Sequence, residues 1–160
     1  MAFERMIRNA FEESENNCRF GDTLEEIAEI QDYIKNAEKI CIPNKDGIKV
    51  DVLNEVLKGY GLPKAEILQI NTNTADTSRI PALAKAYIAL DQSDADLIIA
   101  RGRLGIPGSG SMLVFIDNKG RILTAGMSPS HVIHKKTIEE AVYKEACEAL
   151  EKIGFEKVEG

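Results

Sequence analysis

The sequence predicts an α/β domain built on a mixed central sheet covered by helices. Three observations carry that expectation. Short apolar, strand-like runs alternate with stretches of helical periodicity. One tight hairpin signal, Asp117-Asn118-Lys119-Gly120, lies between two apolar runs. The 160 residues, 44% hydrophobic and 29% charged, fit one domain, 1–160, whose core needs no covalent staples.

The elements follow in chain order. Phe3, Met6, Ile7, Ala10 and Phe11 fall on one face of a first helix. Asp22 or Thr23 caps a second, and Glu26 stands three residues after Thr23 as a capping box requires. Leu24, Ile27, Ala28 and Ile34 make its inner face. Lys39 to Ile42 is a strand ended by Pro43. Val52, Leu53, Val56, Leu57 and Tyr60 give a third helix, stopped by Gly61-Leu62-Pro63. Ala65 to Ile70 is a strand. Pro81 opens a helix lined by Leu83, Ala86, Tyr87 and Leu90. Leu97 to Ala100 is a buried strand. Met112 to Ile116 is apolar throughout, as in a strand covered on both faces. Arg121 to Ala125 returns antiparallel, with Gly120 at the turn position that wants positive φ. The last helix starts at Thr137, again with a Glu three residues on, buries Ile138, Ala141, Val142, Ala149 and Ile153, and ends at Gly154.

Charge and composition exclude several classes. The net charge of −6 argues against nucleic acid, which needs a basic footprint. No apolar run approaches the roughly 20 residues that span a bilayer. The N-terminus turns acidic at once and does not read as a signal peptide. Cys18, Cys41 and Cys147 are odd in number and far apart, so they read as reduced thiols of a cytoplasmic protein without structural zinc. The acid excess sits at the two ends and reads as solvated helix faces. Residues 40–136 carry nine acids against twelve bases. An anionic small molecule therefore suits the middle of the chain better than a polyanion does.

Three polar loops follow predicted strands, where ligands of such sheets bind. Residues 71–79 offer Asn71, Thr72, Asn73, Thr74, Asp76 and Arg79, short hydrogen-bonding groups able to grip a ribose, a base edge or a phosphate. The same residue types also simply make turns. Residues 101–111 combine Arg101 and Arg103 with Gly108, Ser109, Gly110 and Ser111. Glycines let backbone N–H groups approach an anion, and arginines supply fixed charge. No Lys-Ser or Lys-Thr completes a Walker loop, and the following strand rules out a dinucleotide fingerprint. Residues 128–136 hold Ser128, both histidines, His131 and His134, and the pair Lys135 and Lys136, just before a helix N-terminus. Two histidines three apart lack a third zinc ligand nearby. A Ser/His pairing through Ser109, Ser111 or Ser130 lacks a nucleophile-elbow pattern.

The stretch Ile98-Ile99-Ala100-Arg101-Gly102-Arg103-Leu104-Gly105-Ile106-Pro107-Gly108-Ser109-Gly110-Ser111, continued to His131-Val132-Ile133-His134-Lys135-Lys136, resembles the HcgB family. These are guanylyltransferases of iron-guanylylpyridinol (FeGP) cofactor biosynthesis, serving [Fe]-hydrogenase in methanogenic archaea. Length and element order suit the family along the whole chain. The resemblance implies transfer of GMP from GTP to the hydroxyl of a carboxymethyl pyridinol, giving guanylylpyridinol and pyrophosphate. It also implies a homodimer, and a fold similar to that of the inosine and xanthosine triphosphate pyrophosphohydrolases.

That fold kinship raises an alternative, pyrophosphohydrolysis of a nucleoside triphosphate. Against it, Asn71-Thr72-Asn73 lies mid-chain without the following Lys of those hydrolases, and the loops hold Asp76 but no acidic cluster. A non-catalytic nucleotide-binding protein is a third reading. From the residues themselves, Arg103, His131, His134 and Lys136 are expected to act in catalysis, with Asn71, Thr72, Asn73, Thr74, Asp76 and Arg79 of the first loop, Arg101 and Gly108 to Ser111 of the second, and Ser128 and Lys135 of the third binding substrate. Magnesium needs only one or two protein carboxylates beside the phosphates. Asp76 is the expected ligand and Asp117 a weaker one.

Overall fold

The computed structural model describes residues 2–44 and 47–158, except the side chains of Ala2, Ile48, His131 and His134. Along the chain run α1 (Ala2–Glu15), α2 (Leu24–Lys35), β1 (Ile40–Pro43), α3 (Ile48–Gly59) and β2 (Glu66–Leu68). A 3₁₀ turn, Asn73–Thr77, precedes α4 (Pro81–Asp91) and β3 (Leu97–Arg103). The chain finishes with β4 (Ser111–Asp117), β5 (Ile122–Ser128), α5 (His131–His134) and α6 (Ile138–Lys152). The strands form one mixed sheet in the order β2-β1-β3-β4-β5. Strand β1 is parallel to β2 and β3, whereas β4 is antiparallel to both its neighbours. Thus β1, β2, β3 and β5 all point the same way, and their C-terminal ends share one edge with the start of β4.

Strand periodicity sorts the core into two layers. Ile40, Ile42, Leu97, Ile99, Leu113 and Phe115 pack with Leu53, Val56 and Leu57 of α3 and Val142, Ala146 and Leu150 of α6. The alternate residues Cys41, Ile98, Ala100, Val114 and Ile116 pack with Ala86 and Ala89 of α4. The continuous apolar runs of β3 and β4 are explained by this double cover. Small alanines on α4 bring it close to the sheet: a Cβ on Gly102 would lie 2.7 Å from the Cα of Ala82.

Capping fixes where helices begin. Thr23 and Glu26 form the reciprocal box at α2, and the Thr137 side chain accepts from the Glu140 amide at α6. The hairpin closes with Gly120 at φ 82°. Asp117, fully buried, accepts from the amides of Lys119 (3.0 Å) and Arg121 (2.9 Å) and from Arg121 Nε (2.7 Å).

Several expectations are corrected. Arg101, Gly102 and Arg103 belong to β3, because the ladder with β4 continues through Arg103↔Ser111. Ser128 likewise closes β5, paired with Ser111. Leu24, Ile7, Phe11 and Ile138 are 85%, 53%, 63% and 45% exposed rather than inward. α1 meets α2 where the buried Phe3 packs against Tyr33, and the rest of its apolar face stays largely open. Glu145, counted among the solvated acids of the last helix, is completely buried. Asp117 is tied up in its hairpin at the end of the sheet remote from the three loops.

Candidate functional site

The three loops meet at the C-terminal edge of the parallel strands because glycines let them touch. A Cβ on Gly105 would stand 2.7 Å from the Arg79 carbonyl, joining the first loop to the second. Gly110, at φ 101°, would put a Cβ 2.2 Å from the Ser128 carbonyl, joining the second to the third. No L-residue with a side chain fits either contact without moving the backbone. Arg103 Nη2 adds a tie by donating to the Asp76 carbonyl at 2.8 Å.

Between them lies an open cavity of about 310 Å³. It is lined by Lys49, Asp76, Lys85, Arg101, Gly102, Arg103, Gly108, Gly110, Ser111, Pro129 and Ser130. Of the residues expected from sequence, the structure brings Asp76, Arg101, Arg103, Gly108, Gly110 and Ser111 to its wall. Of the other side chains in the first loop, those of Asn71, Thr77 and Ser78 are engaged locally. Asn71 Oδ1 accepts from the Asn73 amide at 2.9 Å, and Thr77 donates to the Thr74 carbonyl at 2.8 Å. Thr72 precedes the 3₁₀ turn and accepts from the Ala75 amide through its carbonyl, not its side chain, and Arg79 is exposed. Ser109 donates to the Ile106 carbonyl within its own turn. Ser128 is buried, its hydroxyl without a partner among the described residues. Lys135, at φ 51°, is exposed and Lys136 half-buried, and neither lines the cavity. The backbone of His131 and His134 forms α5 directly after the lining residues Pro129 and Ser130; their side chains lie outside the described residues.

Two lining residues escaped the sequence reading. Lys85 is the only charge in Pro81–Leu90 and reaches the cavity because α4 is pressed against Gly102. Lys49 stands in the first turn of α3, after the end of β1. Neither lysine has a hydrogen bond or ion pair to a described residue. Burial pushes the Lys85 ammonium below its ordinary pKa, and the nearby charge of Lys49 adds to that effect. Asp76 on the same wall offsets Lys85 in part, and the cavity as a whole keeps an excess of cations that an anion would balance. Arg103 adds to this excess: its Nε is buried with no acceptor among the described residues.

Arg101 is different. Its Nε donates to Glu145 Oε1 at 2.7 Å, and its Nη2 donates to Ser111 Oγ at 2.8 Å. Ser111 in turn donates to Glu145 Oε2 at 2.5 Å. This closed Arg–Ser–Glu triad makes one wall rigid and locally neutral. The arrangement as a whole can hold a polyanion, with Asp76 the one lining carboxylate not committed to a cation. Among the described residues, no three His, Cys, Asp or Glu side chains gather as a preformed metal centre. No helix of the described residues is long and apolar enough to cross a membrane.

A family model described as "FeGP cofactor biosynthesis protein HcgB, guanylyltransferase" matches residues 3–155.

Proposed function

The chain belongs to the HcgB family, the guanylyltransferases of FeGP cofactor biosynthesis, and from that premise we propose that it transfers GMP from GTP to the hydroxyl of a carboxymethyl pyridinol in the cavity at 101–111. The observation that carries the location is the set of unmet cationic donors there: Lys49, Lys85 and Arg103, beside the Gly108–Gly110 backbone. A triphosphate is the anion such a set suits, because three charges and exposed amides neutralise several oxygens at once.

In this reading Lys49, Lys85 and Arg103 hold the phosphates, and the amides of the glycine loop approach them without a Cβ in the way. The acceptor oxygen attacks the α-phosphorus and forms the new P–O bond while the bond to pyrophosphate breaks on the opposite side. The hydroxyl proton leaves to water or to a histidine of α5. A pyridinol hydroxyl is acidic enough that positioning contributes more than a strong base. Asp76 fits as a single protein ligand for a magnesium ion arriving with the triphosphate, whose role there is to neutralise phosphate charge. The acceptor's carboxylate finds a cation among the same basic groups. A homodimer also follows from the family reading, and sedimentation velocity tests it.

The decisive experiment measures pyrophosphate. With GTP and magnesium alone, release should be slow. Adding a carboxymethyl hydroxypyridine should trigger release and a guanylyl adduct visible by mass spectrometry, while a pyridine lacking the hydroxyl should compete and give no product. Rapid conversion of GTP, ITP or XTP to monophosphate without acceptor would instead favour the hydrolase. Tight GTP binding without either activity would mean that this cavity only senses the nucleotide.

A further inference from the structure

Glu145 is the most deeply buried ionisable side chain near the site, yet it lines no part of the cavity. It comes from α6, on the face of the sheet opposite α4, and reaches Arg101 because α6 crosses β5 at unusually short range. At Gly126 a Cβ would lie 2.0 Å from the Glu145 carbonyl oxygen, so that position must be glycine for the helix to sit where it does. A carboxylate with no exposed surface is expensive to bury, and a well-packed apolar residue would serve stability equally well. What the carboxylate does accomplish is geometric. It takes one guanidinium edge of Arg101 through Nε, with a longer contact of 3.4 Å from Nη2, and it fixes the Ser111 hydroxyl. Arg101 Nη1 is left with no described partner, on a side chain only 13% exposed.

We propose that Glu145 is a positioning residue of the transferase reaction, holding Arg101 and Ser111 so that the free Nη1 edge of the guanidinium is aimed into the cavity in a single orientation. This rests on the site proposed above. It divides the cations by task. Lys49, Lys85 and Arg103 supply charge and hence affinity. Arg101, whose charge Glu145 already balances, supplies direction, and its free N–H groups meet phosphate oxygen only where the reacting geometry puts it.

The division predicts a split between affinity and rate. Glu145→Gln keeps an acceptor for Ser111 but removes the balancing charge. GTP should bind as tightly as to the parent or tighter, while kcat should fall about 100-fold, the penalty for a misplaced catalytic group. The same fall should be absent when Arg101 is already Gln: kcat of the Arg101→Gln, Glu145→Gln double variant should match that of Arg101→Gln alone. That pair, neutral on both sides, also serves if the single Glu145 variant fails to fold. Equilibrium GTP binding and kcat are measured on all three proteins, with Lys85→Ala as the control for the site itself. Additive losses in kcat, or GTP affinity and kcat falling together in Glu145→Gln, would overturn the positioning role. If Lys85→Ala leaves GTP binding and turnover unaltered, the site assignment fails instead.

Discussion

The two ends of the sheet carry cavities of opposite character. At the start of β1 and β3 lies the larger, about 520 Å³, with Glu29, Asp32, Glu38 and Asp96 on its wall. At the other end lies the cationic cavity of about 310 Å³. Size favours the first, but bonding separates them differently. Asp96 accepts from the amides of Glu38 and Lys39 at 3.0 and 2.9 Å, and Tyr33 donates to its carbonyl, so this end is stitched together by its own polar groups. The cationic end holds Lys49 and Lys85, which have no hydrogen bond or ion pair to a described residue, and the buried Nε of Arg103, which has no acceptor among the described residues. Polar atoms without a described partner occur at both ends, Glu4 Oε2 and Arg121 Nη2 beside the hairpin among them, so the sign of the charge, rather than volume, is what suits the second cavity to an anion.

That contrast is breakable. The largest expected effect is at the hairpin beside the acidic end: Asp117→Ala removes a buried, ion-paired carboxylate and should cost about 3–5 kcal/mol of stability. Chemical denaturation should show that loss while GTP affinity, measured on the folded fraction, stays at the parent value. At the cationic end the pattern should invert. Lys85→Ala or Arg103→Ala should weaken triphosphate binding or turnover by roughly 1.5–3 kcal/mol, the range for a charged hydrogen bond, with the melting temperature held or raised. If both variants bind and turn over normally, the comparison between the two ends has no functional content.

Base recognition sharpens the same picture more gently. The polar groups of 71–79 should favour GTP over ATP about tenfold, which needs only ~1.4 kcal/mol of differential hydrogen bonding; a thermal-shift series giving equal stabilisation by the two nucleotides would remove that loop from base selection. The smallest effect concerns acid. The Lys119 ammonium, hydrogen-bonded to Glu4, holds its carboxyl at about 2, down from 4.5, and Arg19 does the same for Glu26. Because these pKa values are depressed by folding, their contribution is complete above pH 4.5 and fades as pH falls towards 2. Glu4 ties α1 to the hairpin, and Arg19 joins Glu26 to Glu13 of α1, so the loss should appear as early loosening of α1 in hydrogen exchange rather than as global unfolding. Lys119→Ala should bring that loosening to higher pH.

Much of this molecule is legible in its sequence, for identifiable reasons. Strand runs, the two threonine caps and the Gly120 turn are local features, readable from spacing alone. The meeting of the three loops was inferable from the rule that ligands gather at strand C-termini. What spacing hides is depth. Glu145 stands between Lys144 and Ala146 in an acid-rich helix and reads as solvated, yet the close approach at Gly126 buries it. Lys85 reads as an ordinary exposed residue of an alanine-rich helix until Gly102 brings that helix down onto the sheet. The extra strand residues Arg101–Arg103 were obscured by their composition, because arginine and glycine resemble a loop unless the partner strand is known. In each case a long-range contact made possible by a missing side chain decides the role of a polar residue elsewhere.

The origin of Glu145 in α6 also gives the site an order of assembly. During synthesis β3, β4 and β5, with the whole glycine loop, leave the ribosome before Thr137 and the helix it caps. Until α6 docks on β5, Arg101 and Ser111 have no carboxylate to share, and the cationic wall carries one more unbalanced charge. The last long helix to be made therefore completes both the core layer, through Val142, Ala146 and Leu150, and the Arg101–Ser111–Glu145 wall of the cavity.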